Sequence, residues 1–500
     1  MSSTQSVLDR RRAGVLLHIT SLPGPHSNGD LGSEAFRFVD FLVDCGVSVW
    51  QTLPINPTHD DGSPYQCLSA HAGNPNLISL EWLVDQGWLA LSEIGDDGGV
   101  HTNDSVAFRQ RGLRLAFDSF CDAKDPALVQ ELEEFCEKHR AWLDDYALFM
   151  AIRESQSGRS WHHWPEPLRK RESAALAQIG SELSSTLARI RFEQFIFFKQ
   201  WYSLRAYANG RGILLFGDIP IFVAEESADV WAHQEDFDLD ADGSLRVVAG
   251  VPPDYFSATG QRWGNPHYDW NYMQANNFAW WVERVKSQLD LYDWVRIDHF
   301  RGLESYWEIP SDSATAMEGR WVKAPGEALL SRLYEATRSS VLPLIAEDLG
   351  IITPEVVALR DKFNIPGMLI LQFAFDGGDG NPYLPRNHTP NSVVYTGTHD
   401  NDTTVSWFDG LSDGQRAHVY QTIDAQDKIM PFALMECAMR SVARLAVLPM
   451  QDILHLGQGY RMNTPGTVTG NWSWRFSWEQ LTGRHVRELK EMVLASERAA

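Results

Sequence analysis

Between residues 292 and 302 the chain reads YDWVRIDHFRG, in which Val295 and Ile297 alternate with Arg296 and Asp298. On a β-strand that alternation sends the two apolar side chains to one face and the arginine and aspartate to the other. A cation beside a carboxylate holds it in the charged form. The pair is either an ion pair kept out of water or a carboxylate presented to a reactant. Three other stretches end in comparable groups: Asp218 in FGDIP, Glu347 and Asp348 in IAEDL, and His399 with Asp400 in YTGTHD. None of these ends carries a thiol, a serine–histidine pair or a lysine. A set made of carboxyl groups suits chemistry that needs one acid and one carboxylate partner. Glycosidic-bond cleavage fits it best, since one carboxyl protonates the leaving oxygen while the other attacks or stabilises an oxocarbenium-like centre. A single aspartate at a strand end is commonly a turn or capping residue. Four acidic ends on four strands of one sheet are harder to explain that way.

The elements that must position these groups are legible as short, near-continuously apolar runs, the pattern of strands buried on both faces. Eight occur: GVLLHI (14–19), SVWQTLP (48–54), ILLFGDIP (213–220), DWVRIDHF (293–300), LPLIAEDL (342–349), GMLILQFAF (367–375), SVVYTGTHD (392–400) and LAVLPMQDIL (445–454). Helical patterns lie between them, as in EAFRFVDFLVDCG (34–46) and TPEVVALRDKFN (353–364). Alternating strands and helices of this number predict an α/β protein, a (β/α)₈ barrel, with its site at the C-terminal ends of the strands. The whole chain, 1–500, is expected to form one catalytic domain. Two large insertions interrupt it. Residues of about 70–205, rich in charge and helix formers, predict a mostly helical subdomain. Residues of about 222–285, which include VAGVPPDYFSATGQRWGNPHYDW, predict a shaped loop subdomain covering the site.

Composition narrows the partners. The formal net charge is −23, which argues against nucleic acid, whose phosphates need clustered Lys and Arg. Most of the nineteen Trp, fourteen Tyr and twenty-four Phe read as a large aromatic core, while Trp and Tyr in polar, Gly/Pro-rich stretches read as platforms for a sugar ring or base. Five scattered cysteines without C-x-x-C spacing read as reduced thiols. The apolar run Ala13–Leu17 is too short for a signal peptide, and no stretch approaches the roughly 20 apolar residues of a membrane span. The expected setting is the cytoplasm, with no membrane partner. DFDLDADG (236–243) imitates the start of a calcium loop, but with Asp238 as first ligand the twelfth position is Ala249, where a bidentate Glu is needed. It reads as a solvated turn. No zinc pattern or phosphate-binding glycine loop occurs, so no cofactor and no metal is expected.

The four strand-end motifs GDIPIFV, VRIDHFRG, AEDLG and TGTHDNDT resemble the conserved regions of the α-amylase clan. With LLHITSLPGP, SPYQCLSAHAGNP, GVPPDYFSATGQRWGNPHYDW and RMNTPGTVTGNWSWR, the chain resembles the 4-α-glucanotransferases, also called amylomaltases or disproportionating enzymes, from about Gly14 to Arg475. The resemblance implies transfer of α-1,4-glucan segments to the 4-hydroxyl of an acceptor by a retaining double displacement. Asp298 would be the nucleophile, held charged by Arg296; Glu347 the general acid and then base; Asp400, beside His399, the stabiliser of the transition state. Substrate contacts would come from Ser63 and Tyr65 in SPYQ, from Asp218, from Tyr255, Phe256 and Trp263 in the aromatic loop, from Asp376, and from Asn463 in RMNTPG. Two departures from the family pattern are His71 before AGNP, usually an aromatic, and Arg386 in LPRNH, where a histidine is common. The implied partners are malto-oligosaccharides, amylose, glycogen or starch, and glucose, for a monomer or homodimer. Two other functions use the same barrel: an α-glucan hydrolase with water as acceptor, and a catalytically silent glucan-binding protein.

Overall fold

The eight apolar runs fold as parallel strands of one sheet in a computed structural model that describes residues 6–26, 28–95, 103–253, 257–337 and 341–499. In chain order the strands are β1 (Arg12–Leu16), β2 (Val49–Gln51), β3 (Leu214–Pro220), β4 (Val247–Val251), β5 (Gln261–Arg262), β6 (Trp294–Asp298), β7 (Ser305–Pro310), β8 (Arg320–Lys323), β9 (Leu344–Ala346), β10 (Gly367–Ile370), β11 (Ser392–Tyr395) and β12 (Leu445–Pro449). The large sheet runs β10-β11-β12-β1-β2-β3-β6-β9, every neighbouring pair parallel. Its two edges meet where the Ala346 N–H donates to the Pro366 carbonyl at 2.8 Å. The result is a (β/α)₈ barrel.

Why these runs make strands is visible in their burial. All residues of β2, β9, β11 and β12 are buried, because helices cover the outside and opposite strands fill the inside. Each large aliphatic so placed contributes about 1.5–3 kcal/mol. Polar groups cross the interior in pairs. The Tyr395 hydroxyl of β11 donates to Gln51 Oε1 of β2 at 2.9 Å, and Arg296 Nε of β6 lies 3.4 Å from Met368 Sδ of β10. Gly217, just before Asp218, is required by packing: a Cβ there would lie 2.2 Å from the Tyr292 ring.

Helices Asn103–Ala123, Pro126–Lys138, Arg140–Ser155, Ser173–Glu182 and Ser184–Gly210 lie between β2 and β3. Asp125 caps the second of them by accepting from the Ala127 N–H, with proline at the first helical position. Ser184–Gly210 packs on both the barrel helix Ser33–Asp44 and the inserted helices. Two of its glutamines each hold both backbone groups of one residue: Gln194 bonds the N–H and C=O of Gly73 at 2.8 and 2.9 Å, and Gln200 those of Ser79 at 2.8 and 3.2 Å. The loop after β2, which carries Tyr65, is thereby tied to the insertion.

A second, antiparallel sheet runs β5-β4-β7-β8. Half of it comes from the stretch after β3 and half from residues 305–323 beyond β6. The sequence reading did not extend to that second half, because short strands with exposed polar residues, such as RWVK, leave no apolar run to recognise. DFDLDADG closes a turn by the Leu239–Leu245 bridge, and Arg246 pairs with Asp238 and with Asp240. Among the described residues no helix is long and apolar enough to cross a membrane.

Candidate active site

Strand alternation brings Arg296 and Asp298 to one side of β6, and register places Arg296 opposite Asp218 of β3. Arg296, 4% exposed, donates from Nη1 to Asp218 Oδ2 at 2.6 Å and from Nη2 to Asp298 Oδ1 at 2.7 Å. The Tyr65 hydroxyl donates to the same Asp218 oxygen at 2.7 Å. Asp218 is fully buried, whereas the Asp298 side chain is 31% exposed. The buried arginine therefore spans one carboxylate that is structural and one that faces the cleft. Both raise its pKa further, against the effect of burial.

Glu347 directly follows β9, the neighbouring strand. Its Oε2 accepts from the His299 N–H at 2.6 Å and its Oε1 from the Leu349 N–H at 3.0 Å. His299 adopts a left-handed backbone (φ 54°), which turns the chain after Asp298 back toward Glu347. Asp348 points elsewhere: it pairs with Arg360 and accepts from the Met368 N–H at 2.8 Å, closing the barrel seam outside the site. Of the IAEDL pair, only Glu347 belongs to the cluster.

The loop after β11 carries the third acid. Asp400 Oδ1 accepts from Asn463 Nδ2 at 2.6 Å, His399 Nε2 lies 3.3 Å from its Oδ2, and its side chain is 44% exposed. Arg461 Nη2 donates to the Asp400 carbonyl at 2.5 Å, and the Asn463 N–H to the His399 carbonyl at 3.1 Å. Both ends of the loop converge on buried Asp452, which accepts from the Thr396 hydroxyl at 2.6 Å, the Thr404 N–H at 2.9 Å and the Thr404 hydroxyl at 2.7 Å. The Tyr65 ring stacks on His399 at 5.2 Å, with Trp472 at 5.9 Å from Tyr65. Asp452, Arg461 and Trp472 were missed in the sequence, although the last two stand in the same RMNTPGTVTGNWSWR motif as Asn463.

Electrostatics divide the acids. Burial pushes Glu347 up to about 8, reinforced by the charge of Asp298 and opposed by Arg296 and the two backbone N–H groups. Burial raises Asp298 too, to about 6, with Arg296 working against it and Asp218 and Asp400 adding to it. For Asp400 burial is outweighed by His399 and the Asn463 amide, and its carboxyl falls well below the usual range. Near neutral pH the cluster holds one protonated carboxyl beside two carboxylates, the division needed for acid and nucleophile roles. His18 and His299 are buried, which depresses both to about 3 and leaves them neutral. Among the described residues no group of three or more His, Cys, Asp or Glu side chains is arranged to hold a metal ion.

The remaining predicted contacts are dispersed. Trp263 stands edge-on to the His299 ring at 4.9 Å, at the rim of the cluster. Ser63 acts on Tyr65, whose N–H donates to the Ser63 hydroxyl at 3.4 Å. Asp376 is exposed in the loop after β10, where Asn381 Nδ2 bonds its carbonyl at 2.8 Å. Tyr255 and Phe256 lie outside the described residues. His71 is buried with Nδ1 at 2.9 Å from the Ser287 hydroxyl, and Arg386 pairs with Asp379 at the surface.

A closed parallel barrel with such an acid cluster at its C-terminal rim defines an enzyme with the carboxyl chemistry of glycosidic-bond cleavage. A family model described as 4-alpha-glucanotransferase matches residues 17–482. The 4-alpha-glucanotransferase of Thermus thermophilus is 48% identical over 497 residues, covering 98% of this chain and 99% of that protein. That of Synechocystis sp. is 50% identical over 484 residues, covering 95% of each. Among solved structures, the amylomaltase from Streptococcus agalactiae in complex with acarbose superposes with a TM-score of 0.95 at 37% identity, covering 98% of this chain and 100% of that one. The chain belongs to the 4-α-glucanotransferase family.

Proposed function

We propose that this chain carries out its family's α-1,4-glucan transfer by a retaining double displacement on Asp298. The Asp298 carboxylate attacks the anomeric carbon of the donor, and the bond from that carbon to the leaving O4 breaks as Glu347 gives O4 its proton. The released fragment departs with a free 4-hydroxyl, leaving the donor segment as an ester of Asp298. Glu347, now a carboxylate, takes the proton of an acceptor's 4-hydroxyl. The acceptor oxygen attacks the same carbon and frees Asp298, and two inversions give net retention. Asp400, kept charged by His399 and Asn463, stabilises positive charge at the anomeric carbon and grips sugar hydroxyls. Tyr65, stacked on His399, offers a flat face to a sugar ring. The observation that carries this reading is Arg296 bridging Asp218 and Asp298 while Glu347 lies raised beside them.

Short malto-oligosaccharides and longer α-1,4-glucans serve as donors in this reading, and glucose serves as both product and acceptor. A cytoplasmic setting suits the five free cysteines, of which buried Cys45 and half-buried Cys437 are pushed up to about 12 by desolvation and so stay thiols near neutral pH. Incubation with maltotriose tests the function. Transfer yields glucose together with longer oligosaccharides at a constant number of reducing ends. The hydrolase reading draws on the solvent exposure of Asp298 and Asp400 and requires that number to rise.

A further inference from the structure

We propose that a cavity on the barrel flank, between the helical insertion and helix Ala279–Leu291, is a second binding site for a neutral oligosaccharide, a segment of α-1,4-glucan. It rests on the function proposed above for its choice of sugar, and on its own geometry for the rest.

The cavity has a volume of about 730 Å³, within the range that holds small ligands. None of Asp298, Glu347, Asp400 or Arg296 lines it. Its walls include Trp142 and Tyr272, which are partly accessible, backed by the buried rings of Trp280 and His71. Trp142 lies parallel to the His71 ring, 6.2 Å away at 9°, and Trp280 meets the same ring edge-on at 6.3 Å. Flat indole faces of this kind stack on the apolar face of a pyranose.

Two polar side chains in the wall have unmet hydrogen-bonding capacity. The Trp280 indole N–H and His139 Nε2 have no hydrogen-bond partner among the described residues, and both side chains are more than nine-tenths buried. Such groups are costly unless something bonds them. Burial and Lys138 depress His139 to about 4, so its ring is neutral and has one accepting nitrogen. A donor and an acceptor together match hydroxyl groups, which do both.

Charge excludes the obvious competitor. Six carboxylates and two lysines line the cavity, and those lysines are paired, Lys138 with Asp290 and Lys286 with Glu283. An anion such as phosphate would meet repulsion, whereas carboxylates accept from sugar hydroxyls. A glucan long enough to reach both sites would be retained between successive transfers. A trisaccharide would gain nothing.

Trp142→Ala and Tyr272→Ala in the full chain test this. Maltotriose disproportionation should be unchanged, while KM for amylose rises about fivefold, the loss of one stacked ring. Trp142→Phe should restore the low KM. Calorimetric titration of the Asp298→Asn protein with maltoheptaose should give two sites, and adding Trp142→Ala should remove one. If Trp142→Ala does not fold, Tyr272→Ala decides, since that ring is 41% exposed and contributes little packing. An unchanged amylose KM, a single site by titration, or spermidine binding there in preference to maltoheptaose would each overturn the proposal. Failure of the unsubstituted enzyme to disproportionate maltotriose would instead strike the function proposed above.

Discussion

The backbone N–H of His299 donates to Oε2 of Glu347 at 2.6 Å, joining the residue after Asp298 to the neighbouring acid. The contact is supported on both sides: the Phe300 N–H donates to the Glu347 carbonyl and the Glu347 N–H to the Ile297 carbonyl, each at 3.0 Å. Asp298 and Glu347, the proposed nucleophile and acid, thus sit on one hydrogen-bonded corner, where each feels the other's charge.

That coupling sets the pH dependence. Asp298 must be ionised, so activity falls as pH drops through about 6; Glu347 must be protonated, so it falls as pH rises through about 8. The expected profile of kcat/KM for maltotriose is a bell between these limbs, whose apparent values belong to the pair. A profile flat from the acid to the alkaline side would contradict the assignment.

Asp298→Asn keeps the shape of the side chain and removes its nucleophilicity, so turnover should vanish while the protein stays folded. Glu347→Gln should lower transfer by about 10²- to 10⁴-fold, the usual range for a lost acid. With a donor whose leaving group needs no proton, the Glu347→Gln enzyme should still form the ester. Mass spectrometry should then find the sugar on the Asp298 peptide, and its absence would sink the retaining scheme.

Asp218→Ala leaves a buried guanidinium with one partner fewer and the Tyr65 hydroxyl without its acceptor. Breaking a buried pair on one side typically costs about 3–5 kcal/mol. Denaturant unfolding should register a loss of that order, and Asp218→Asn, which keeps an acceptor oxygen, a smaller one. Equal stability of all three proteins would show that the pair is not structural.

Trp263→Ala removes a ring from the rim beside His299. A stacked aromatic contributes on the order of 1 kcal/mol, enough to shift competition between sugar and water severalfold. The ratio of new reducing ends to redistributed glucan, measured at fixed maltotriose, should rise. Were both reactions to fall by one factor, the ring would serve packing alone.

Asp452→Ala unfastens both ends of the loop that carries His399 and Asp400. Each hydrogen bond to a charged group contributes about 1.5–3 kcal/mol, and a displaced Asp400 loses hold of the transition state. The expected result is a kcat lower by about tenfold or more with a folded barrel by circular dichroism.

The barrel was legible because its eight strands are buried on both faces, and such strands leave unbroken apolar runs. Arg296 and Asp298 could be placed on one face by alternation alone. The separation of Glu347 from Asp348 could not, since it depends on where Arg360 and Met368 fall in the closed seam. Asp452 was equally hidden: its partners, Thr396 and Thr404, stand about fifty residues away in the chain. The sheet β5-β4-β7-β8 escaped notice because its strands are short and partly exposed, and pairing across β6 leaves no local mark.

That sheet has a consequence for anyone recombining such enzymes. Of the two strands that lead to Trp263, β5 pairs with β4 and β4 in turn pairs with β7, which follows the Asp298 corner by a few residues. The wall of the cleft and its chemical centre are therefore not interchangeable cassettes. Residues 247–262 from a homologue, spliced in alone, would arrive without the β7 edge they evolved against. A working chimera has to carry residues 305–323 from the same parent, so the crossover points must come in two coordinated pairs.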